Sequence, residues 1–305
     1  MIDIQQSLLK KEVCPERRND FHTGTTEQVM KLLLTAITLV LILFVVSGQA
    51  PRQESSVVIS TPEQIKEDFA AVPCKDQERL SAVKALFEKM GAASSSISIE
   101  KYKNVENLVV LKPGSSPEIL VIGAHYDKVS AGCGAVDNWS GIVTITHLYK
   151  ALKDIPLKKT LMFVAFGKEE LGLVGSRAMV GAINKERLDQ YCAMINIDSL
   201  GLAPLQVLDN SSSKKLASLV AGIAKEMKIP FTQARLPGAD SDSGSFLKRK
   251  IPAVTLHGLS SQFRSVIHTG NDKAAKVNVV SVYLGYRVAL GLVGRLNEAP
   301  CGAYR

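Results

Sequence analysis

The feature that most constrains this chain is a series of apolar strands that alternate with amphipathic helices from residue 118 onward. Strand 118–124 leads to helix 141–153, strand 160–166 (TLMFVAF) to helix 172–182, and strand 193–198 (AMINID) to helix 213–227. Strand 253–257 and a last helix near 278–296 complete the series. A strand that is apolar on both faces must be covered on both faces, and intervening helices supply that cover. The pattern predicts an α/β protein with a mostly parallel sheet. In such sheets, ligands bind beyond the carboxyl ends of the strands.

Upstream of the series, Thr61-Pro62-Glu63-Gln64 reads as a helix start, with Thr as cap, Pro in the first turn and Gln three residues on. A second helix is expected over about 75–90, with Leu80, Val83, Phe87 and Met90 on one stripe and Gly91 as its stop. Residues 107–111 and 118–123 read as a hairpin around Lys112-Pro-Gly-Ser-Ser-Pro117.

The N-terminal region reads as an export signal. Leu32–Val46 (LLLTAITLVLILFVV) is shorter than the roughly 20 apolar residues of a spanning helix. It suits the apolar core of a secretory signal with cleavage near Gly48. Met30-Lys31 followed by this run is a complete signal by itself. The expected organisation is therefore a leader of doubtful translation at 1–29, a signal peptide at 30–48 and one catalytic domain at 49–305. The alternative is an uncleaved anchor through residues 32–46. Residues 1–48 carry five basic and five acidic side chains, so the formal charge of +8 survives their removal. Cys14 goes with them. Cys74, Cys133, Cys192 and Cys301 remain, with three possible pairings, or two bridges replaced by two buried thiols.

With 46% hydrophobic residues the chain has enough apolar surface to fold, and its Gly and Cys contents exclude collagen-like and small disulfide scaffolds. The charge excess raises nucleic acid as a partner. The basic residues are scattered apart from Lys248-Arg249-Lys250, and aromatic content is 6%, so no nucleic-acid module is expected.

Chemistry gathers at the strand ends. Strand 118–124 runs into His125-Tyr126-Asp127, and Asp137-Asn138-Trp139-Ser140-Gly141 opens the next helix. Strand 160–166 is followed by Glu169-Glu170, strand 193–198 ends in Asp198, and His268-Thr269-Gly270-Asn271-Asp272 follows the apolar pair Val266-Ile267. Each has a bland reading taken singly: a packed histidine, a helix cap, a solvated turn. Together they place imidazoles and carboxylates at successive strand ends, where adjacent unpaired carboxylates are costly unless a cation lies between them. This is a hard-to-borderline N/O donor set that suits zinc. Five ligands sharing one bridging carboxylate make a dinuclear centre.

The ordered series Gly-Ala-His-Tyr-Asp, Asp-Asn-Trp-Ser-Gly, Glu-Glu-Leu-Gly-Leu-Val-Gly-Ser, Ile-Asp-Ser-Leu-Gly and His-Thr-Gly-Asn-Asp resembles the M28 zinc peptidases over about residues 60–297. The resemblance implies a three-layer α/β/α sandwich with a mixed, mostly parallel central sheet, and a zinc aminopeptidase acting on peptides with a free N-terminus. It implies that His125, Asp137 and Asp198 bind one zinc and Asp137, Glu170 and His268 a second, with Asp137 bridging. Glu169 is then the general base and Asp127 orients His125. Two departures stand out. Lys168 occupies a position often acidic in the family. The loop Ser241-Asp242-Ser243-Gly244-Ser245-Phe246 carries Ser243 in place of the usual His, which opens the question of pocket polarity.

Other readings are a single-zinc glutaminyl cyclase and an M28-type carboxypeptidase. Against the cyclase, Ile267 precedes His268 where cyclases typically carry Trp. A serine hydrolase built on Ser243 or Ser245 with His257 or His268 lacks a Gly-x-Ser-x-Gly elbow. The expected product is secreted or periplasmic, free of the membrane after signal cleavage, with its oligomeric state undetermined. The sequon at Asn138 lies inside the metal loop and is a poor glycan acceptor; a second starts at Asn210.

Overall fold

The structure, a computed structural model, describes residues 28–37 and 56–305. The 1–29 leader, apart from its last two residues, and the far half of the apolar run lie outside the described residues. Gln28–Ile37 is a ten-residue apolar helix with Leu32, Leu33, Leu34 and Ile37 exposed. It belongs to a unit separate from the compact body Ser55–Arg305.

The body opens with α1 (Pro62–Ala70), whose predicted start is realised as a capping box: Thr61 and Gln64 each bond the other's backbone amide. α2 (Asp76–Lys89) follows, then β1 (Ile97–Tyr102), β2 (Val105–Lys112), β3 (Ile119–His125) and α3 (Ser140–Leu152). Next come β4 (Thr160–Phe166), α4 (Val174–Ala182), β5 (Tyr191–Ile197), β6 (Leu205–Leu208) and α5 (Lys214–Glu226). β7 (Phe231–Ala234), α6 (Asp242–Lys248), β8 (Ala253–His257) and α7 (Val279–Glu298) complete it.

The eight strands form one sheet in the order β1-β2-β4-β3-β5-β8-β6-β7. The central strands β4, β3, β5 and β8 run parallel, and antiparallel pairings occur toward both edges. This is the mixed, mostly parallel sheet of the expected α/β class. The two-residue period of the strands divides the core. Leu120, Ile122 and Ala124 face a large layer with α1, α2, α3, α5 and α7, while Ile119 and Val121 face a smaller one with Met179 of α4 and Phe246 of α6.

The expected hairpin is a correction. β2 pairs with β1 and β4, and β4 is inserted between β2 and β3. The short Lys112–Pro117 connection carries the chain past the width of one strand, a choice that local turn chemistry does not encode. The segment 241–246 read as a loop is likewise the start of α6.

The four cysteines form two bridges, Cys74–Cys133 and Cys192–Cys301. Among the described residues only α7 is long and apolar enough to cross a membrane. Its Val282, Tyr286, Ala289, Leu292, Val293 and Leu296 are buried in the large layer.

Candidate metal centre

The sheet order brings the predicted groups together. His125 ends β3, Glu169 and Glu170 follow β4, and Asp198 follows β5; these are adjacent parallel strands, so their carboxyl ends converge. Asp137 arrives from the buried turn Ala135–Trp139 ahead of α3, and His268 from the segment beyond β8.

Asp137 stands at the centre. Its Oδ1 lies 3.1 Å from His125 Nε2 and its Oδ2 lies 3.0 Å from His268 Nε2. His125 Nε2 is also 3.6 Å from Asp198 Oδ1, and His268 Nε2 is 3.1 Å from Glu170 Oε2. Two clusters result: His125 with Glu169 and Asp198, and Asp137 with Glu170 and His268. All five expected ligands and the expected base thus share one site. Lys168 turns away, its Nζ donating to the Asn104 carbonyl.

Asp127 differs in detail from the expectation. His125 Nδ1 is 3.2 Å from the Asp127 carbonyl and 3.6 Å from its Oδ1. The carboxylate itself accepts the backbone amides of Glu169 (2.9 Å) and Glu170 (3.2 Å). Asp127 therefore fixes the Glu-Glu turn with its side chain and faces the imidazole chiefly with its backbone.

Three supports were not assigned from sequence. Asp272 accepts the amides of Val136 (2.7 Å) and Asp137 (3.1 Å), tying the His268 segment to the Asp137 turn. Asn138, linked to Asp137 by a cis peptide, receives Gly141 N and Ser199 N on Oδ1 and donates to the Ile197 carbonyl. Buried Arg79 donates to the carbonyls of Tyr126, Pro73, Cys133 and Gly134 and lies over the Trp139 ring. Burial lowers its pKa to about 10, opposed by Asp76, Asp127, Asp137 and Asp272, so it remains charged behind the site. Gly175 of the Glu-Glu-Leu-Gly-Leu-Val-Gly series permits close packing, since a Cβ there would meet Asn107 Oδ1 at 2.3 Å.

Backbone strain also collects here. Lys168, Ser199 and His268 have φ of 54°, 61° and 59°, a left-handed conformation costly for residues other than glycine.

Electrostatics fit a cation. Burial opposes a charge on His125, but Glu169 and the contacts with Asp127, Asp137 and Asp198 raise it well above its ordinary value. Contacts with Asp137 and Glu170 push His268 up to about 10. Burial opposes ionisation of Asp137, yet both imidazoles hold it below the usual carboxylate range. Burial pushes Glu169 up to about 10, with His125 opposing and Asp198, Asp242 and Asp137 adding to the rise. The carboxylates of the cluster thus favour positive charge held among them. Glu170 Oε1 is buried without a hydrogen-bond partner. An orphaned carboxylate oxygen among imidazoles and carboxylates is the donor chemistry that a divalent cation completes.

A cavity of about 280 Å³ opens beside the cluster, walled by Leu208, Leu236, Leu259, Phe263 and Ile267. Ser243 does not line it: its Oγ is buried against the Ser211 carbonyl and Thr255 Oγ1. Ser245 pairs with Ser176, so neither serine meets a histidine as a hydrolase triad requires. Asn138 is fully buried, in keeping with its dismissal as a glycan acceptor.

The sequence pattern of peptidase family M28 matches residues 107–288. Aminopeptidase YwaD of Bacillus subtilis (strain 168) is 36% identical over 105 residues, covering 34% of this chain and 21% of that protein. The matched region spans 21% of that protein and 60% of a probable leucine aminopeptidase of Arthroderma otae (strain ATCC MYA-4605 / CBS 113480), less than two thirds of either. The fold resembles BSAP, a zinc aminopeptidase from Bacillus subtilis, with a TM-score of 0.58 at 23% identity over 65% of this chain and 52% of that one. It also resembles a glutaminyl cyclase from an Acidobacteriales bacterium, with a TM-score of 0.68 at 17% identity over 82% of this chain and 99% of that one. At such identities the likeness is one of fold.

Proposed function

Because this chain belongs to peptidase family M28, we propose that its cluster holds two zinc ions and that it is an exported aminopeptidase. The observation that carries the reading is Asp137, whose two oxygens face two different imidazoles at 3.1 Å and 3.0 Å. His125, Asp137 and Asp198 would hold one ion; Asp137, Glu170 and His268 would hold the other. When bound, such a pair polarises a scissile carbonyl and lowers the pKa of water toward about 7.

The chain's own groups do the rest. Glu169, brought down from its raised value by the positive charge the centre would hold, takes a proton from the attacking water and returns it to the leaving amine. Its amide is pinned by Asp127, so the carboxylate is delivered from a fixed turn. The acidic cleft suits a free α-ammonium, and the apolar cavity suits the first side chain. No Lys or Arg lines that cavity among the described residues, whereas a carboxypeptidase would need a cation for the terminal carboxylate. Export is supported by the apolar run Leu32–Val46 and by the two disulfides, which suit an oxidising compartment. On this reading residues 49–305 are the working enzyme.

The test is hydrolysis of leucine p-nitroanilide and its N-acetyl form by the zinc-loaded full-length chain. Turnover of the free-amine substrate alone supports the reading. Equal turnover of both, or release of pyroglutamate from a glutaminyl peptide as the sole activity, overturns it.

A further inference from the structure

The cavity beside the metal cluster does not end at the cluster. A groove of about 460 Å³ continues outward between the same two walls, residues 236–239 on one side and Phe263, Ile267 and His268 on the other. Pro237, Arg264 and Thr269 line only this outer stretch. A peptide whose first residue sits in the cavity has the groove as its onward path.

The two stretches differ in charge. Acidic residues line the inner cavity, Glu169 and Asp240 as well as the metal ligands, and none lines the outer groove. Among the described residues that line either stretch, Arg264 is the one Lys or Arg. It is exposed, and its guanidinium carbon lies 5.6 Å from the centroid of the Phe263 ring, which walls both stretches. A guanidinium held over an aromatic face leaves its N–H fork available to a planar anion such as a carboxylate.

The local backbone sets the reach. The Phe263 carbonyl accepts the amides of Val266 (2.8 Å) and Ile267 (3.0 Å), so the segment closes a helical turn. Arg264 therefore starts about one turn, roughly 5 Å, before His268, and its long side chain extends that distance. An extended peptide advances about 3.3–3.6 Å per residue, so two or three residues cover the span.

We propose that Arg264 binds the C-terminal carboxylate of short peptides, so that di- and tripeptides are the preferred substrates. Their ammonium meets the acidic inner end and their carboxylate meets Arg264 at the outer end. The groove is thus complementary in charge to a short zwitterion, and to one direction of it. A longer peptide carries its carboxylate past the guanidinium and gains nothing from it. This preference rests on the aminopeptidase reading and deepens it.

Leucyl-glycyl-glycine and its C-terminal amide make the test. With the zinc-loaded full-length chain, kcat/KM for release of leucine should favour the free acid about fivefold, the upper scale of one exposed ion pair, mainly through KM. Arg264→Gln should bring the acid:amide ratio close to one, and Arg264→Lys, which keeps the charge, should retain part of the preference. A six-residue leucyl peptide and its amide should differ little. The ratio cancels any general loss of activity in a variant, and zinc content establishes that the metal site is intact. Equal rates for acid and amide in the wild type, a ratio unchanged by Arg264→Gln, or the same preference in the six-residue pair overturns the proposal. So does hydrolysis of leucine p-nitroanilide with neither tripeptide cleaved. Release of glycine before leucine, or hydrolysis of none of these substrates, overturns the aminopeptidase reading itself.

Discussion

Asp137 is the residue on which both halves of the site depend, because each of its oxygens serves a different imidazole. Asp137→Ala is expected to lose both zinc ions, read as metal content after dialysis against zinc-free buffer. Glu169 offers a contrast. Glu169→Gln keeps the shape and the Asp127-anchored amide but cannot accept a proton, so zinc content should persist while kcat falls about 10²-fold or more. Equal turnover in that variant would remove Glu169 as the base. These chemistry-bearing residues were legible in sequence because catalysis demands particular side chains at strand ends. Asp242 was less legible. It is fully buried in α6, and burial pushes it up to about 7, with His125 and Ser176 opposing and Asp198 and Asp127 adding to the rise.

At the scale of elements, the site depends on how α2 grips the loops in front of it. Arg79 satisfies four backbone carbonyls from Pro73 to Gly134, on both sides of the Cys74–Cys133 bridge. Arg79→Met keeps the apolar stem and strands those carbonyls. A loss of at least about 3 kcal/mol is expected by urea denaturation. Weaker zinc binding should accompany it, since the loop ahead of Asp137 loses its anchor; a neutral substitution would show that water satisfies the carbonyls instead. No sequence pattern announces such a residue, because its partners are backbone groups rather than side chains. The same limit explains the misread hairpin. β2 and β3 each have the composition of a strand, but their separation by β4 is decided by pairing with residues 160–166, which lie far from both along the chain. The central strands and long helices were legible because burial on both faces imposes continuous apolar runs. The short strands β6 and β7, of four residues each, carry too little pattern to declare themselves.

Across the whole molecule, the net charge of +8 conceals a local acidic pole. Asp137, Glu169, Glu170 and Asp198 converge at one end of the sheet, and the unusual basicity of the two imidazoles is its consequence. The neighbouring carboxylates raise both His125 and His268 above the ordinary imidazole value, so zinc bound there would displace protons. Affinity should therefore rise with pH between about 6 and 8 and fall toward acid. Calorimetry in buffers of different ionisation enthalpy should detect proton release on zinc binding; none would mean that the imidazoles are not ligands. The most direct measurement is a zinc titration of the metal-stripped full-length chain, following hydrolysis of an aminoacyl p-nitroanilide. Activity should climb from baseline and saturate at two equivalents per chain. Full activity before zinc is added, or saturation at one equivalent, would contradict the dinuclear centre.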